Sequence, residues 1–543
     1  MAELKTNVLY YGDNLEILRG HIPDGSIDLV YLDPPFNSKA DYNVLFRERS
    51  GEQSAAQVQA FTDSWHWTQD TERTYQDIIE HAPLKVSKAI EALREFIGSS
   101  DVMAYLVMMT VRLVELHRVL KDTGSLYLHC DPTASHYLKV ILDTIFGPKN
   151  FRNEIVWKRT SAHSDVGQGA RHFGRIHDTI LRYAKTDEFT WNVHHLPYDK
   201  EYVDASYKHV EPETGRRYTL SDITGPKGAA KGNPFYELLG VERYWRYSKE
   251  TMQRLLKENR VVQTRPGTVP REKRYLDEMP GVPGQDVWLD INPPPPSERL
   301  DYQTQKPLAL LERIIKASSN EGHVVLDPFC GCGTAIVAAQ KLNRRWIGID
   351  ITHLAITVMK QRLADSFPGL VYEVVGEPKD LESAKALARQ NRYQFQWWAV
   401  SLVGAQPREP ERKKGADAGV DGVISFVDEQ GGKARRVVVQ VKSGHVGVRD
   451  IRDLEGVIGT EDLGLFITLE PSTEPMRVEA ASAGFHRSPL WQRDFPRVQI
   501  FTIEELLAGK RPDLPGKLSP YAKAQRVKTG RQISLAETKD ASG

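Results

Sequence analysis

The sequence contains 543 residues, of which 40% are hydrophobic, and its 72 Lys and Arg residues balance 72 Asp and Glu residues. This length predicts two or three domains, and the composition excludes a disordered chain. A net charge of zero gives no sign of a nucleic-acid partner, although a local basic surface would be enough to bind phosphates. The three cysteines, Cys130, Cys330 and Cys332, make no disulfide framework. No apolar run could span a bilayer and the first residues do not resemble a secretory leader, so we expect a cytoplasmic protein without membrane contact.

The first 150 residues alternate between strand and helix patterns. Apolar runs predict strands at 7–11, 27–32 and 125–129, and apolar periodicity predicts helices at 14–19 and 101–120. Strands that alternate with helices predict an α/β domain with a parallel sheet.

The middle of the chain, about 160–300, shows neither the helix pattern nor the strand pattern. It is rich in Tyr, Arg, Gly and Pro and includes four consecutive prolines at 293–296. We interpret it as an irregular insertion or a small separate module. Its cations between residues 254 and 274 form either a phosphate-binding surface or an ordinary solvated loop, and the sequence leaves both interpretations open. They include Lys257, Arg260, Arg265, Arg271 and Lys273.

The alternation resumes after residue 307. Predicted helices at 308–318, 335–342 and 354–363 alternate along the sequence with predicted strands at 323–326 and 345–349. A charged stretch near 376–392 then predicts a domain boundary.

A glycine turn follows the predicted strand 323–326. Phe329-x-Gly331-x-Gly333 opens a helix, and Asp350 ends the next strand, where a carboxylate can accept hydrogen bonds from ribose hydroxyls. The spacing lacks the third glycine of a dinucleotide fingerprint, so an adenosyl ligand fits better than NAD. A plain strand-to-helix turn explains the glycine pair alone about as well. No G-x-x-x-x-G-K-S/T phosphate loop occurs, which disfavours an ATP-driven translocase.

The tetrapeptide Asp33-Pro34-Pro35-Phe36 ends another apolar strand. Asp33 and the Pro34 carbonyl can accept hydrogen bonds from an amino group, and Phe36 offers a face on which a base can stack. Two such acceptors could aim the lone pair of an exocyclic nitrogen at a methyl donor, which is catalysis by positioning and charge stabilisation. A proline-rich turn without function is the alternative, and a lone copy of this motif would favour it.

Together these motifs resemble the β class of amino-methylating DNA methyltransferases, and the pattern is similar to the modification subunits of type III restriction systems. The resemblance covers about 1–370 and also includes Gly12-Asp13-Asn14 and Gln305-Lys306-Pro307. It implies a circularly permuted Rossmann-like sheet in a domain 1–372, with an inserted target-recognition region at about 160–300.

The resemblance also implies base flipping and S-adenosylmethionine as the cofactor. D-P-P in place of S-P-P favours N6 of adenine over N4 of cytosine. The implied catalytic residues are Asp33, Pro34, Pro35 and Phe36. The implied cofactor-binding residues are Asp13, Lys306, Asp327, Phe329, Gly331, Gly333, Thr334 and Asp350.

The remaining sequence predicts a second, smaller α/β domain at 380–515. Its predicted elements are a helix at 381–400, strands at 422–427, 436–441 and 463–469, and a helix at 474–483. Asp421 precedes one strand, and Gln440 and Lys442 share one face of another because they are two residues apart. An acid followed by Q-x-K on a strand is typical of metal-dependent phosphodiesterases, although a surface hairpin explains these residues alone better.

This second region resembles the Mrr-like branch of the PD-(D/E)xK restriction endonucleases. The resemblance implies Asp421, Gln440 and Lys442 as catalytic residues and Asp421 as a ligand of Mg²⁺. Gln440 replaces the usual carboxylate, so a degenerate domain that only binds DNA stays open. We expect residues 516–543 to form a flexible tail.

The leading hypothesis is a site-specific DNA methyltransferase with an endonuclease domain in one chain, acting on double-stranded DNA in a restriction-modification role. The alternatives are an N4-cytosine methyltransferase with an inactive DNA-binding module, a methyltransferase of RNA or small molecules, and a nucleotide-binding protein without catalysis. A homodimer is left open.

Overall fold

A computed structural model of the chain describes residues 4–35, 67–161, 171–300, 304–407, 420–426, 428, 435–459 and 462–515. Phe36 and the predicted tail 516–543 lie outside the described residues. The chain divides into two compact units, Val193–Gln285 and the remainder.

The N-terminal part alternates strands and helices, as the sequence predicts. Its elements are β1 (Val8–Tyr11), α1 (Asn14–His21), β2 (Ile27–Leu32), α2 (Gln69–His81), α3 (Leu84–Ile97), α4 (Asp101–Val119), β3 (Leu120–Cys130), α5 (Ser135–Phe146), β4 (Phe151–Lys158) and β5 (His177–Ala184). The β2 strand is buried along its whole length, as expected for the centre of an α/β sheet. The α4 helix begins where the Ser100 side chain accepts a hydrogen bond from the Met103 amide.

The unit Val193–Gln285 consists of short elements. They are β6 (His195–Leu196), α6 (Lys200–Ser206), β7 (His209–Val210), β8 (Arg217–Asp222), β9 (Phe235–Leu238), β10 (Val241–Tyr244), α7 (Lys249–Lys257), β11 (Val261–Val262), β12 (Arg271–Tyr275) and β13 (Val282–Pro283). An antiparallel sheet in the order β11-β12-β8-β7 and a small core around Trp245 hold the unit together. Strands this short leave no sustained apolar period, which is why the sequence shows none.

The chain then returns to the first unit. The elements there are β14 (Val287–Trp288), α8 (Leu308–Ser318), β15 (Val324–Asp327), α9 (Thr334–Lys341), β16 (Arg345–Asp350), α10 (His353–Ser366) and β17 (Glu373–Val375).

These strands complete a nine-stranded sheet in the order β14-β4-β5-β3-β2-β15-β16-β1-β17. Neighbouring strands are parallel except where β5 pairs antiparallel with β3 and β4, so the sheet is mixed and not purely parallel. Large apolar clusters cover both faces. The first strand of the chain lies between two of the last, β16 and β17, and this order confirms the circularly permuted Rossmann-like fold.

A second α/β domain follows. It comprises α11 (Leu381–Gln390), α12 (Arg392–Leu402), β18 (Gln406–Pro407), β19 (Gly422–Phe426), β20 (Arg435–Lys442), α13 (Val448–Val457), β21 (Leu463–Thr468), α14 (Glu474–Ser482), β22 (Phe485–Ser488), β23 (Arg493–Pro496), β24 (Val498–Thr502) and α15 (Ile503–Leu507). The predicted helix 381–400 is two helices, because the Asn391 side chain caps the second by accepting the Tyr393 and Gln394 amides.

The main sheet of this domain has the order β18-β19-β20-β21-β24. The β20, β21 and β24 strands are parallel, and β19 pairs antiparallel with β20. Within the described part of the chain, we find no helix of the length and apolarity that crossing a membrane requires.

Candidate active sites

Four carboxylates lie at one edge of the nine-stranded sheet. Asp33 follows β2, Asp327 ends β15, Asp350 ends β16, and Asp13 comes two residues after β1. These four strands are neighbours in the order β2-β15-β16-β1 and run parallel. Their carboxyl ends therefore share an edge, which is where open α/β sheets bind ligands. The fold brings together D-P-P and the glycine turn, which are about 300 residues apart in the sequence.

Asp33 forms an ion pair with Lys306. The lysine ammonium contacts Asp33 Oδ2, and the two side chains are only 16% and 14% exposed. Lys306 directly precedes Pro307 at the N-terminus of α8. The element that the resemblance assigns to the cofactor thus contacts the carboxylate that it assigns to catalysis.

A series of buried polar side chains connects to the strand that precedes the D-P-P motif. The Tyr31 hydroxyl lies 3.1 Å from His129 Nδ1, and His129 Nε2 lies 3.0 Å from Asp178 Oδ2. Arg159 Nε lies 3.3 Å from the other oxygen of Asp178. Burial raises the pKa of the Asp178 carboxyl, but the hydrogen bond from His129 and nearby positive charges outweigh it, so the net pKa is lowered.

The sequence motifs gave no indication of His129, Asp178 or Arg159. A signal was available, because a histidine and an aspartate in the apolar strands β3 and β5 must find polar partners when buried. Both are at most 6% exposed.

The glycine turn requires its second glycine for two reasons. Gly333 has a φ of 75°, and an added Cβ there would lie 2.5 Å from Met359 Cγ. The Gly331 amide donates a hydrogen bond of 2.9 Å to Asp350 Oδ2, while Asp350 Oδ1 accepts from the Thr352 amide and hydroxyl. A ribose hydroxyl that binds Asp350 would share these oxygens with the backbone amides.

Burial raises the pKa of the Asp350 carboxyl, and it raises that of Asp327 well above the ordinary value. The charges of Asp33 and Asp350 add to the effect on Asp327, although its Oδ1 accepts the Phe329 amide at 3.1 Å. The Thr334 hydroxyl accepts a hydrogen bond of 3.0 Å from buried Arg362.

Asp13 is held by Arg112, another residue that the sequence analysis did not select. Arg112 Nη2 donates to both Asp13 oxygens, and its Nε donates to Asn14 Oδ1 at 2.6 Å. Asn14 Nδ2 in turn donates to the Pro328 carbonyl at 2.8 Å. This chain of bonds links the end of β1 to the start of the glycine turn. An arginine among the apolar residues in the middle of helix α4 is the signal, since a buried arginine needs an acidic partner.

The acidic side chains and the glycine turn at this edge fit S-adenosylmethionine. That molecule carries positive charge on its sulfonium and amino groups and two hydroxyls on its ribose. Asp327 and Asp350 are buried acids at which a cation would offset the cost of burial. The backbone of the glycine turn can approach a ligand closely because it carries no side chain at residues 331 and 333.

The C-terminal domain brings together its three predicted site residues. Asp421 Oδ2 accepts a hydrogen bond of 2.6 Å from the Val441 amide, between Gln440 and Lys442. Gln440 is 3% exposed, and its Oε1 has no hydrogen-bond partner among the described residues. Asp421 and this oxygen are ligands of the type that Mg²⁺ prefers. The described residues contain no cluster of three or more His, Cys, Asp or Glu side chains suited to a metal.

Comparisons with known proteins bear on both domains. Residues 27–361, more than half of the chain, match the family described as DNA methylase. The chain belongs to the DNA methylase family. Residues 388–495 match a family described as restriction endonuclease. Both resemblances stated from the sequence are confirmed.

Individual relatives of this DNA methylase agree with the assignment. It is 29% identical over 363 residues to the type III restriction-modification enzyme StyLTI Mod subunit of Salmonella typhimurium, covering 63% of this chain and 51% of that protein. It is 30% identical over 264 residues to the type II methyltransferase M.EcaI of Enterobacter cloacae, covering 48% and 58%. The chain thus spans about half the length of these curated relatives. Among solved structures it is similar to M1.HpyAVI in complex with SAM, at 15% identity and a TM-score of 0.30, covering 66% of this chain and 98% of that one.

Proposed function

We propose that this DNA methylase transfers a methyl group from S-adenosylmethionine to the exocyclic amino nitrogen of a flipped DNA base, with N6 of adenine favoured over N4 of cytosine. The observation that carries the proposal is the shared edge at which Asp33 follows β2 and the glycine turn follows β15. A methyl donor held by the turn and an amino group held by Asp33 would then be neighbours.

The chain's own residues would act by positioning. The Asp33 carboxylate and the Pro34 carbonyl accept the amino hydrogens and direct the nitrogen lone pair toward the methyl group. The bound cofactor supplies that methyl group. Transfer would break the bond between the methyl carbon and the cofactor sulfur, which would leave as a neutral thioether. The nitrogen would lose a proton, which the Asp33 carboxylate can accept. Lys306 holds this carboxylate in place before the base arrives.

The proposal is tested with purified protein, labelled S-adenosylmethionine, and DNA, RNA and small molecules as competing acceptors. Asp33→Ala should slow methyl transfer by about 100-fold or more, because an acceptor used in the transition state is lost. Its cofactor affinity should stay unchanged. Asp70→Ala, which removes an exposed carboxylate of α2, is the matched control.

Transfer to DNA that persists in Asp33→Ala would reject the assigned role, and transfer to RNA alone would reject the substrate. Sequencing of modified bases in genomic DNA from expressing cells would then identify the base and its sequence context. Modified cytosine in place of adenine would select the N4 alternative.

We further propose that the inserted unit Val193–Gln285 contributes to target recognition. Its position in the sequence, between β5 and β14, supports this, as does its content of exposed Arg and Lys side chains. Exchange of this unit for that of a relative should change the methylated sequence while transfer continues.

A second activity has its own support. We propose that the C-terminal domain cleaves DNA with Mg²⁺ held by Asp421 and the unpartnered Oε1 of Gln440. The bound ion would polarise the phosphate and activate the attacking water, and Lys442 would stabilise the developing negative charge. The alternative is a domain that binds DNA without cutting it.

Lys442→Ala should abolish Mg²⁺-dependent cutting of unmethylated plasmid, while Lys510→Ala, an exposed lysine of the same domain, should not. The Asp33→Ala background keeps the substrate unmethylated in both cases. Cutting that persists without the Lys442 amine rejects the assignment. Duplex binding by the wild type without any cutting would select the alternative.

A further inference from the structure

The loop between β4 and β5 leaves the sheet at the catalytic edge. The last residue pair of β4 and β5 is Lys158 with His177, and the adjacent pair of β5 and β3 is Thr179 with Cys130. Because β3 is parallel to β2, Cys130 ends its strand on the same side as Asp33. The described residues of this loop, 159–161 and 171–176, therefore lie at the edge that carries the D-P-P motif.

The base of the loop is tied to the catalytic strand. Arg159 donates its amide to the Ile176 carbonyl at 3.0 Å, and its guanidinium pairs with Asp178. Asp178 is hydrogen-bonded to His129, and His129 is hydrogen-bonded to Tyr31, which is two residues before Asp33. The base of the loop is thus fixed relative to the strand that carries Asp33.

Phe173 is the most exposed large apolar residue in the described part of the chain, at 98%. Its neighbours Arg171, His172 and Arg175 are also exposed. An apolar ring flanked in sequence by two exposed arginines is poorly suited to a protein interior. It suits DNA, where cations contact phosphates and an apolar side chain can enter between base pairs.

We propose that Phe173 inserts into the base stack of bound duplex DNA and occupies the space that the target base leaves when it flips. This inference rests on the proposed methyl transfer to DNA. Extrusion of a base costs pairing and stacking energy. An aromatic ring that stacks on the remaining bases restores part of that stacking, and so favours the flipped state. Arg171 and Arg175 would hold the flanking phosphates.

The test compares two duplexes that carry the methylated sequence identified by genomic sequencing. One is fully paired, and in the other the target base faces an abasic site, so that no pairing has to be broken. Phe173→Ala should lower kcat/KM on the paired duplex by about tenfold or more, as expected for loss of one base–aromatic stack. On the duplex with the abasic site the loss should be much smaller. Phe173→Trp should restore the rate.

A fluorescent 2-aminopurine at the target position gives an independent readout. Its emission should rise when the wild type binds and should stay low with Phe173→Ala. Phe96→Ala removes another exposed phenylalanine, 77% exposed on α3, and should change neither measurement. Cofactor affinity checks that each variant is folded.

Equal rates of Phe173→Ala and the wild type on the paired duplex would overturn the inference, as would equal losses on both duplexes. In either case methylation by the wild type leaves the proposed function standing. A wild type that methylates no DNA would instead overturn the proposed function itself.

Discussion

Carboxylates in the two compact units have opposite electrostatic surroundings. In the nine-stranded sheet, burial raises the pKa values of Asp327 and Asp350. In the inserted unit, hydrogen bonds from neighbouring lysine and arginine side chains lower the pKa values of Glu211 and Glu278 to about 2. Asp327 and Asp350 are incompletely neutralised, whereas Glu211 and Glu278 are paired with cations of their own unit.

This difference separates carboxylates that hold the fold from carboxylates that await a ligand. A paired surface carboxylate contributes to local order, whereas a buried acid without a full counter-charge lowers stability until a cation binds. The same contrast clarifies the cations of the inserted unit. Lys273 is 6% exposed and pairs with Glu211, and Arg260 pairs with Glu278, so neither is available to bind phosphates.

Among the changes that test this difference between the two regions, the largest effect should come from Asp350. Asp350→Ala removes the acceptor proposed for the ribose hydroxyls and the partner of the Gly331 amide. We expect S-adenosylmethionine to bind about 10- to 100-fold more weakly, as for the loss of a hydrogen bond to a charged group. Isothermal titration calorimetry measures this. An unchanged affinity would show that this carboxylate is not a ligand.

Asp327→Asn should raise the stability of the fold, whereas most core substitutions lower it. The folded protein binds a proton at Asp327 more tightly than the unfolded chain does, so the ionised carboxylate destabilises the fold above its raised pKa. The neutral isostere should raise the Tm of the cofactor-free protein at neutral pH by about 2–4 °C. Wild-type stability should rise as pH falls through the raised pKa, and this rise should be smaller in the variant.

Thermal unfolding at two pH values checks the Asp327 prediction, and a variant less stable than the wild type at neutral pH would contradict it. Cofactor binding to the wild type should also weaken as pH falls through the same range, because protonated acids no longer attract a cation. The isosteric variant should bind the cofactor weakly at every pH.

The smallest effect should come from Glu278→Gln in the inserted unit. Arg260 and Arg216 lower the pKa of this carboxyl, so its contribution to stability is present above the ordinary glutamate pKa of about 4.3 and is lost as pH falls toward 2. Because the pair is partly exposed, the change should destabilise the protein by less than about 1 kcal/mol. Denaturant unfolding measures it, and cofactor affinity should be unaffected. A weakened cofactor affinity would contradict the distinction between carboxylates that hold the fold and carboxylates that await a ligand.

Much of the main sheet could be predicted from its sequence. The strands predicted at 27–32 and 345–349 correspond to β2 and β16, because buried strands in such a sheet are continuous apolar runs with clear ends. The inserted unit could not be divided into elements in this way, since its strands are too short to show a period. The β5 strand was also missed, since it lies within the stretch 160–300 that was interpreted as an irregular insertion. Its antiparallel direction depends on pairing with distant residues.

The sequence by itself determined the chemistry: D-P-P after one strand, a glycine turn after another, and an acid followed by Q-x-K in the second domain. Only the tertiary structure decided that Lys306 contacts Asp33, that Arg112 holds Asp13, and that a histidine and an aspartate connect the D-P-P strand to Arg159. The physical reason is that these contacts join residues about 20 to 270 positions apart, and strand order, which local sequence does not specify, brings them to one edge of the sheet.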